Sequence, residues 1–516
     1  MKLFGLDESV VRTLAAGVRG GISAHGTAPQ AFSAYAGPSQ IVAALSNEIA
    51  SNLAANVDIS GTYVGSADVE STDVSGAEVG GTEACGTDGG TCDGTVTELD
   101  TATVAEVFAR AAWSGIAEPG DGTAGLLVAS VGARVALTAI LESWSPVRIG
   151  ALVREAHSDD DDEPAGRSLM FGASPSVDFS EADANTSAEL EAALDLGLQR
   201  WRPRLNSNEV IHSLQQAARV EARLLLATDS LWPVGLDDLE QHAPLALWWR
   251  GVPSALAALP HSIALVGARA ATGYGEHIAM EASAGLVDRG FAIVSGAAYG
   301  IDGMAHRAAL ASDGLTVAYL AGGVDRFYPS GHDSLLTRIV ASGAVISELP
   351  CGAAPTKWRV LQRNRLIAAC SAATVVLEAG WRSGSLNTAG HAAALGRPLG
   401  AVPGPITSPT SAGCHRLIRE FAAVCVTNPT EMAELVGERS IQVPLDFPDT
   451  DAGPGPIPRT SDQVRVFDAL SGRSPRTVAD LSRRAGLSSS AVRGALGGLD
   501  LDGAAQEREA GWVRRA

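Results

Sequence analysis

A short stretch of this chain carries several cations and no acid, a combination suited to holding phosphate. Only two lysines occur in the sequence, and one of them, Lys357, lies between Glu348 and Glu378, where no acidic residue occurs. Arginine forks match phosphate oxygens, and lysine supplies a mobile point charge. We interpret residues 355–365 as a cationic loop. The candidate phosphate contacts in this loop and after the next strand are Lys357, Arg363, Asn364, Arg365 and Arg382.

Glycine-rich turns at the ends of predicted strands form a second candidate set. A turn that exposes backbone amides at the start of a helix, with the helix dipole behind it, attracts anions. Such turns follow the predicted strands 263–266, 292–295 and 374–377. Their residues are Gly267, Arg269, Ser295, Gly296 and Gly300, and after the third strand Arg382, Ser383, Gly384 and Ser385. A cationic loop facing these turns predicts a nucleic-acid site.

Other chemistries are disfavoured because residues that they require are absent. The turn after strand 263–266 lacks the G-x-G-x-x-G fingerprint and no acid closes strand 292–295, so binding of NAD or FAD is not expected. His306 near Asp302 could act as a general base, but no second acid-base partner or metal-binding set accompanies it. We therefore expect structural roles for both, and for Glu378 the role of orienting an arginine. No catalysis, cofactor or metal is expected.

The net charge argues against a polyanion partner only until its distribution is considered. The formal charge is -20, yet residues 20–109 hold 12 acids and no Lys or Arg, and residues 157–193 hold 10 acids and one arginine. Residues 251–435 carry 13 basic and 12 acidic residues, and residues 460–516 carry 9 and 7. The segments with the patterns of folded domains are near neutral or slightly basic, so an anionic partner is compatible with them.

Cysteine content and apolar runs predict a cytoplasmic protein. Six cysteines in 516 residues do not form a disulfide framework, and most lie in or beside apolar runs, as small core residues do in a reducing cytosol. The N-terminus lacks the apolar region of a signal peptide, and no apolar run approaches the length of a membrane span. We expect no contact with a membrane.

The first half of the chain predicts a small helical domain beside segments of low complexity. Residues 1–100 are acidic and, over much of their length, rich in Gly, Thr, Ser and Asp, which predicts a disordered N-terminal region. Residues 101–250 show helical apolar spacing and predict a SAM-like helical domain. An acidic run at 157–193 predicts a disordered insert within that domain.

Residues 251–437 predict a Rossmann-like domain. Short β-branched strands alternate there with alanine-rich helices, which is typical of an α/β fold with a doubly wound, mostly parallel sheet whose ligands bind at the carboxyl ends of the strands. The predicted strands are 263–266, 292–295, 316–320, 344–347, 374–377, 399–402 and 424–426. The predicted helices between them are 276–289, 303–312, 334–341, 385–395 and 415–421.

A winged-helix (helix-turn-helix) domain is predicted at 459–516, after a Pro/Gly linker at 438–458. Two helices joined by a short turn, the second capped by Ser488, have the spacing of a helix-turn-helix. The predicted elements are helices 463–470, 478–485 and 488–499, and a wing strand at 511–513. The pattern leaves open whether this domain contacts duplex DNA or a protein.

With these motifs, the chain resembles the DNA-processing protein A (DprA/Smf) family of bacteria. The matches follow one another in order through the predicted sheet, weaker similarity reaches the helical domain, and the winged-helix tail fits members that carry one. The main matching motifs are Val266-Gly267-Ala268-Arg269, Gly300-Ile301-Asp302 with Ala305-His306, Tyr328-Pro329, Ile346-Ser347-Glu348, Arg363-Asn364-Arg365, Arg382-Ser383-Gly384-Ser385 and Val402-Pro403-Gly404.

The resemblance implies a protein without catalytic activity that acts in natural transformation. Members of this family bind incoming single-stranded DNA, protect it and load a RecA-type recombinase, usually as homodimers through the Rossmann-like domain. Where members commonly have a Phe-Pro pair, whose Phe can contact a base, this chain has Val360-Leu361, which leaves Trp358 as a candidate for base stacking. The residues that by position resemble contacts to the DNA backbone are Arg269, Lys357, Arg363 and Arg365.

Two other functions stay open at this point. One is a nucleotide-binding sensor, or an enzyme that processes nucleoside monophosphates, on the related lysine-decarboxylase-like sheet. That function requires a catalytic glutamate and a Pro-Gly-Gly-type phosphate loop, to which Glu378-Ala379-Gly380 is a weak match. The other is an interaction protein whose helix-turn-helix binds partners. Hydrolysis of a nucleoside monophosphate would favour the first, and loss of a partner on removal of residues 459–516 would favour the second.

Overall fold

The computed structural model describes residues 2–19, 99–158, 179–437 and 459–515. Most of the predicted acidic N-terminal region, part of the predicted acidic insert and nearly all of the Pro/Gly linker lie outside these ranges, so those predictions are not tested here. The described residues build a helical region, a nine-stranded sheet with its helices, and a winged helix.

The first residues of the chain are folded, whereas the composition of residues 1–100 predicts disorder. They form strand β1 (Lys2–Leu3), strand β2 (Leu6–Asp7) and helix α1 (Glu8–Arg19). Arg19 ties the end of α1 to Asp229 through an ion pair of 2.5 Å between Nη1 and Oδ2. The prediction is wrong for these residues because the average composition hid a local apolar face with helical spacing. That buried face consists of Val10, Val11, Leu14, Ala15 and Val18.

Six further helices form the helical region, and the last but one begins inside the predicted disordered insert. They are α2 (Thr101–Ile116), α3 (Gly122–Val131), α4 (Ala133–Leu141), α5 (Pro146–Ser158), α6 (Phe179–Trp201) and α7 (Ser207–Arg219). Leu194, Leu198 and Trp201 of α6 are buried, and the Trp201 ring packs edge-on to Trp113 at 5.3 Å. Residues 179–193 are therefore helical, and the predicted insert was too long.

Nine strands form one sheet, in the order β11-β10-β9-β5-β6-β7-β8-β4-β3. The seven strands from β5 to β11 are parallel and coincide with the seven predicted strands. The prediction of a doubly wound, mostly parallel sheet is thereby confirmed. The strands are β3 (Arg223–Leu225), β4 (Leu247–Gly251), β5 (Ser262–Gly267), β6 (Ala292–Ser295), β7 (Thr316–Tyr319), β8 (Ala344–Ser347), β9 (Ala373–Glu378), β10 (Leu399–Ala401) and β11 (Val424–Cys425).

The sheet begins at Arg223 and not at residue 251, where the domain boundary was predicted. Strands β3 and β4 pair with each other antiparallel, and β4 pairs antiparallel with β8. Leu247, Trp248 and Trp249 of β4 are fully buried. These strands were missed because a three-residue and a five-residue strand carry little periodicity, and their pairing depends on β8, about a hundred residues further along the chain.

Helices cover both faces of the sheet. Those between β4 and β8 are α8 (Pro253–Ala257), α9 (Gly273–Val287), α10 (Ile301–Ala311) and α11 (Asp333–Ser342). Those after β8 are α12 (Lys357–Cys370), α13 (Ser385–Ala394), α14 (Ala412–Glu420) and α15 (Pro429–Gly437). Helices α9, α10 and α15 pack in one apolar cluster, and α12, α13 and α14 pack in another. Strand β5 has β6 on one side and β9 on the other, which makes this the topological switch point of the sheet, where open α/β sheets bind ligands.

The C-terminal residues form the predicted winged helix. A capping box between Thr460 and Gln463 starts the first helix, and Gly486 ends the second in a left-handed conformation with φ of 63°. Ser488 caps the third helix by accepting the N–H of Ala491 at 3.2 Å, as its position predicts. The elements are α16 (Ser461–Ala469), α17 (Val478–Ala485), α18 (Ser489–Leu501), β12 (Ala505–Arg508) and β13 (Gly511–Arg514).

Neither a membrane span nor a metal cluster is found in the described parts of the chain. No single helix there is long and apolar enough to cross a bilayer; α3 and α4 together reach that length, but they are bent by 111° where they meet. No group of three or more His, Cys, Asp or Glu side chains in those parts is placed to hold a metal ion.

Candidate nucleic-acid interface

The loops at the carboxyl edge of the sheet meet closely at the switch point. Gly267 at the end of β5 lies beside Glu378 at the end of β9. Gly300 lets the loop after β6 approach the loop after β5, because its φ is 75° and a Cβ there would lie 2.2 Å from the carbonyl oxygen of Ala268. This close approach requires glycine and sets the position from which Arg269 leaves the sheet.

Four exposed cations lie at this edge without a partner. In the part of the chain that the structure describes, no side-chain nitrogen of Arg269, Lys357 or Arg382 makes a hydrogen bond or an ion pair, and all three side chains are exposed. Arg326, in the loop after β7, is in the same state. The sequence reasoning missed Arg326, although its position after a strand could have identified it. Unpaired cations at one edge attract an extended polyanion.

The predicted cationic loop is the start of a helix. Helix α12 begins at Lys357, and the side chain of Thr356 caps it by accepting the N–H of Arg359 at 3.1 Å. No glycine or proline follows for three turns, so nothing interrupts the helix. Residues four apart share one face of a helix, and Arg359 and Arg363 are therefore both turned into the protein, where they are buried.

Arg363 holds the turn after β6 from inside the protein. Its Nη1 donates to the carbonyl oxygens of Gly296 and Tyr319, each at 2.5 Å, and its Nε donates to Oδ1 of Asn364 at 3.2 Å. Burial lowers the pKa of Arg363 to about 10. A Cβ on Gly296 would lie 2.2 Å from Nη1 of Arg363, so this turn needs glycine to admit the guanidinium. We therefore assign Arg363 and the buried Asn364 a structural role in place of the predicted phosphate contact.

Arg365 joins α12 to the residue after β8 and to the segment between β3 and β4. Its Nη2 lies 2.8 Å from Oε1 of Glu348 and 2.9 Å from the carbonyl oxygen of His242. Only 3% of Arg365 is exposed. A guanidinium that is paired and buried in this way is not available to phosphate, so Arg365 also takes a structural role in place of the predicted contact.

Glu118 is the centre of a buried ionic cluster in which three parts of the chain meet. Its Oε1 lies 2.7 Å from Nη2 of Arg359 in α12 and 2.9 Å from Nη1 of Arg204 in the helical region. A Cβ on Gly486 of the winged helix would lie 2.3 Å from Cγ of Glu118. Burial by itself would raise the pKa of Glu118, but the two guanidinium groups lower it to about 2. The cluster fixes the start of α12 and thereby the position of Lys357.

Asp302 and His306 are both buried parts of the fold. Oδ2 of Asp302 accepts the N–H groups of Gly296 at 3.2 Å and Ala298 at 3.3 Å, and burial raises the pKa of this carboxyl above its usual value. Nδ1 of His306 lies 2.7 Å from Oγ1 of Thr316. Burial lowers the pKa of His306 to about 3, so the ring is neutral near pH 7. Both side chains thus make their hydrogen bonds inside the fold.

Glu378 is bound to threonines and not to the arginine that we expected. It accepts the N–H of Thr272 at 2.9 Å, the Thr272 hydroxyl at 2.7 Å and the Thr410 hydroxyl at 2.6 Å. Only 2% of Glu378 is exposed. It therefore fastens the loops after β5 and β10 to β9. The glutamate that weakly matches a catalytic residue of nucleoside monophosphate enzymes is thus buried and hydrogen-bonded to two threonines.

Of the candidate serines, Ser295 and Ser385 are buried and Ser383 is partly exposed. Ser295 is fully buried and donates to the carbonyl oxygen of Leu265 at 2.7 Å, so it is not a ligand contact. The hydroxyls of Ser383 and Ser385 lie 2.7 Å apart in the turn that begins α13, next to the exposed Gly384. This turn leaves Arg382 at the surface beside the switch point.

The winged helix contacts the start of α12. Oδ2 of Asp468 in α16 accepts the backbone N–H of Lys357 at 2.7 Å. The guanidinium of Arg465 lies over the ring of Trp358, 5.2 Å from its centre, and donates to the carbonyl oxygens of Ala485 and Gly486. Trp358 is only partly exposed, its indole Nε1 is buried, and Arg465 lies over its ring, so its surroundings do not support the prediction that it stacks on a base.

The described residues form a Rossmann-like α/β protein with an attached winged helix, and among these residues four exposed cations without partners lie at the carboxyl edge of the sheet. Two family models match the chain, DNA recombination-mediator protein A over residues 223–437 and the DprA winged helix domain over residues 450–511. A putative DNA processing protein DprA from Mycobacterium tuberculosis is 44% identical over 309 residues, which cover 58% of this chain and 78% of the relative. DNA processing protein DprA from Streptococcus pneumoniae is 37% identical over 206 residues, covering 40% of this chain and 72% of the relative.

Two solved structures are also similar. DNA processing protein A from Streptococcus pneumoniae matches at 30% identity with a TM-score of 0.42, covering 49% of this chain and 90% of the other. The protein from Helicobacter pylori, described for its single-stranded DNA binding mode, matches at 26% identity with a TM-score of 0.38, covering 42% of this chain and 94% of the other. The identity and coverage of the Mycobacterium relative show that the chain belongs to the DNA processing protein A (DprA/Smf) family. The family resemblance found in its motifs is confirmed, and its role lies in DNA processing and recombination.

Proposed function

We propose that this protein binds single-stranded DNA along the carboxyl edge of its sheet and acts as a recombination mediator. The observation that carries the proposal is the set of exposed, unpaired cations there. Arg269 follows β5 and Arg382 follows β9, so the two flank the switch point, while Lys357 starts the helix that follows β8. Cations on neighbouring loops can contact successive phosphates of one strand without reading its sequence.

The site residues of this proposal are fewer than the motifs predict. Arg269, Lys357 and Arg382 contact phosphates, with Arg326 as a further candidate, and the turn at Ser383, Gly384 and Ser385 offers hydroxyl and amide donors. Arg363 and Arg365 act indirectly, because they hold α12 and the turn after β6 in place. The arrangement is a preformed cationic edge supported by buried ion pairs.

The mediator role goes further than strand binding. The family model is described as a recombination-mediator protein, which supports delivery of the bound strand to a RecA-type recombinase and protection of that strand. We also keep the proposal that two copies associate through the Rossmann-like domain. Filament assembly by the recombinase, on a strand already coated with single-strand-binding protein, measures delivery; sedimentation measures association.

The test of strand binding is fluorescence anisotropy of a labelled oligo-dT titrated with the full chain at several salt concentrations. Neutralising phosphates on a single strand gives a log-log slope of about -0.7 per contact, so three or four cations predict a slope of roughly -2 to -3. Binding that is weak and independent of salt would contradict the proposal. In that case a small nucleotide would become the better ligand to test.

Lys357→Glu should weaken oligo-dT binding by well over tenfold, because it places a negative charge where a phosphate contact is expected. The side chain of Lys357 is exposed and makes no bond to any described residue, so the midpoint of urea unfolding should not change. The matched control is Arg338→Glu, the same change of charge on the exposed face of α11. Equal affinities of the two variants would remove Lys357 from the site.

A further inference from the structure

The exposed aromatic side chains of the described residues lie at one edge of the sheet. Among the described residues, four Phe, Tyr or Trp side chains are exposed, and all four are in loops or first helical turns at the carboxyl edge of the sheet. They follow β5, β6, β7 and β9 in turn. They are Tyr274, which is 40% exposed, Tyr299 at 47%, Tyr328 at 53% and Trp381 at 54%.

Two of these rings flank the switch point, next to the free cations. Trp381 immediately precedes Arg382 after β9, and Tyr274 lies in the first turn of α9, five residues after Arg269. The guanidinium of Arg416 lies 5.2 Å from the centre of the Trp381 ring, which leaves the ring held from one side while more than half of the side chain stays exposed. Large aromatic surfaces are usually buried, so exposed rings beside unpaired cations indicate a binding surface.

We infer that Tyr274 and Trp381 are base-stacking residues of the DNA site, which rests on the proposed strand binding. Proteins hold single strands on surfaces that combine cations with aromatic rings, because the cations bind phosphates and the rings stack on unpaired bases. The pair Val360-Leu361 offers no ring, and Trp358 is only partly exposed, with its Nε1 buried and Arg465 over its ring. We therefore place base stacking at the switch point and not at the start of α12. Bases in a duplex are already stacked, so these rings select single strands over duplex.

The test separates bases from phosphates by using two strands of equal length, oligo-dT and an abasic strand with the same phosphates. Trp381→Ala should weaken oligo-dT binding about tenfold, leave binding of the abasic strand unchanged and leave the salt slope unchanged. Trp381→Phe keeps an aromatic face and should retain affinity within about twofold. Tyr274→Ala should behave like Trp381→Ala. Because both side chains are exposed, we expect these substitutions to leave the fold intact.

These measurements distinguish a role of the two rings in strand binding from an effect of the substitutions on the fold. If Trp381→Ala and Tyr274→Ala bind oligo-dT as tightly as the unchanged protein while Lys357→Glu does not, the rings are not in the site and strand binding by the cations stands. If the two variants lose the abasic strand as well, the effect is structural and the stacking role is overturned. Failure of the unchanged protein to bind either strand would overturn the proposed function itself.

The contact of the winged helix with α12 carries a second and independent inference. The amino-terminal residues of the second helix in a helix-turn-helix normally read bases. Here Ser488 and Ala491 of that region line a cleft of about 930 Å³ between the winged helix, α12 and the helical region. Helix α18 contains a single cation, Arg493. In this position Ser488 and Ala491 face the rest of the protein, while Ser489, Ser490 and Arg493 remain exposed.

We propose that this position is a closed state in which the winged helix competes with DNA for the start of α12. The carboxylate of Asp468 takes the N–H of Lys357 at the positive end of the helix dipole, where a phosphate oxygen would otherwise be attracted. Arg465 covers Trp358 in the same contact. A strand that reaches the backbone of Lys357 must therefore displace Asp468.

The test uses the full chain with Arg465→Ala and Asp468→Ala together, and Asp500→Ala on the exposed side of α18 as the control. The double variant should bind oligo-dT several-fold more tightly, and the control should not. In the unchanged protein, oligo-dT should increase hydrogen exchange in residues 461–469. An unchanged or weaker affinity of the double variant, or unchanged exchange in those residues, would overturn the competition.

Discussion

Reversing the charge of Arg269 should lower the affinity for oligo-dT by more than tenfold, because this exposed cation flanks the switch point, where the strand is proposed to bind. Its side chain is exposed and has no partner among the described residues, so no ion pair there weakens the attraction between its charge and a bound strand. Arg269→Glu removes one attractive charge and adds a repulsive one. The dissociation constant measured by anisotropy at low salt reports the loss, and the loss should shrink as salt is raised.

Arg269→Ala makes the expectation quantitative. Loss of one phosphate contact should reduce the log-log salt slope by about 0.7, while the affinity for an abasic strand falls in parallel with that for oligo-dT. Because the Arg269 side chain makes no bond to the described residues, the free energy of unfolding should stay within about 0.5 kcal/mol of the unchanged protein. A normal slope in Arg269→Ala would exclude Arg269 from the strand-binding site, and the role of the cationic edge would then depend on Lys357 and Arg382.

Glu118→Ala should cost the protein about 3–5 kcal/mol of unfolding free energy, the largest stability effect that we expect from one substitution. It leaves the guanidinium groups of Arg359 and Arg204 buried without their carboxylate. Urea unfolding measures the loss. The matched control is Glu106→Ala, which breaks a partly exposed pair with Arg110 and should cost less than about 1 kcal/mol. Similar losses of unfolding free energy for the two variants would contradict the conclusion that the Glu118 cluster stabilises the fold more than a partly exposed ion pair does.

The same cluster predicts how stability depends on pH. The folded pKa of Glu118 is about 2, below the usual 4.5. A depressed pKa contributes stability that is complete above about pH 4.5 and is lost as the pH falls towards 2, by roughly 3 kcal/mol in total. Glu118→Gln keeps the side-chain volume but removes this titration, so the difference between the two proteins should vanish at the acid end. A constant difference over that range would show that Glu118 is not ionised in the fold.

The seven parallel strands could be predicted from the sequence because each strand has a recognisable local pattern. Runs such as Ile263-Ala264-Leu265-Val266 are apolar on both faces, as strands covered by helices on both sides must be, and glycine-rich turns mark where they end. The switch point follows from their order, so the edge that carries Arg269 and Arg382 was predictable. The helix-turn-helix was readable for the same reason, since Ser488 and Gly486 define its turn locally.

Which cations face the solvent was decided only by the tertiary structure. The four cations from Lys357 to Arg365 are all suited to binding phosphate. The sequence by itself determined only that positive charge is concentrated there. The fold buries Arg363 against Gly296 and Arg365 against Glu348, and it leaves Lys357 exposed. These partners are distant along the chain or on other elements, and no local period encodes them. Burial of an arginine depends on where its hydrogen-bond acceptors are brought by folding, and that is a property of the whole chain.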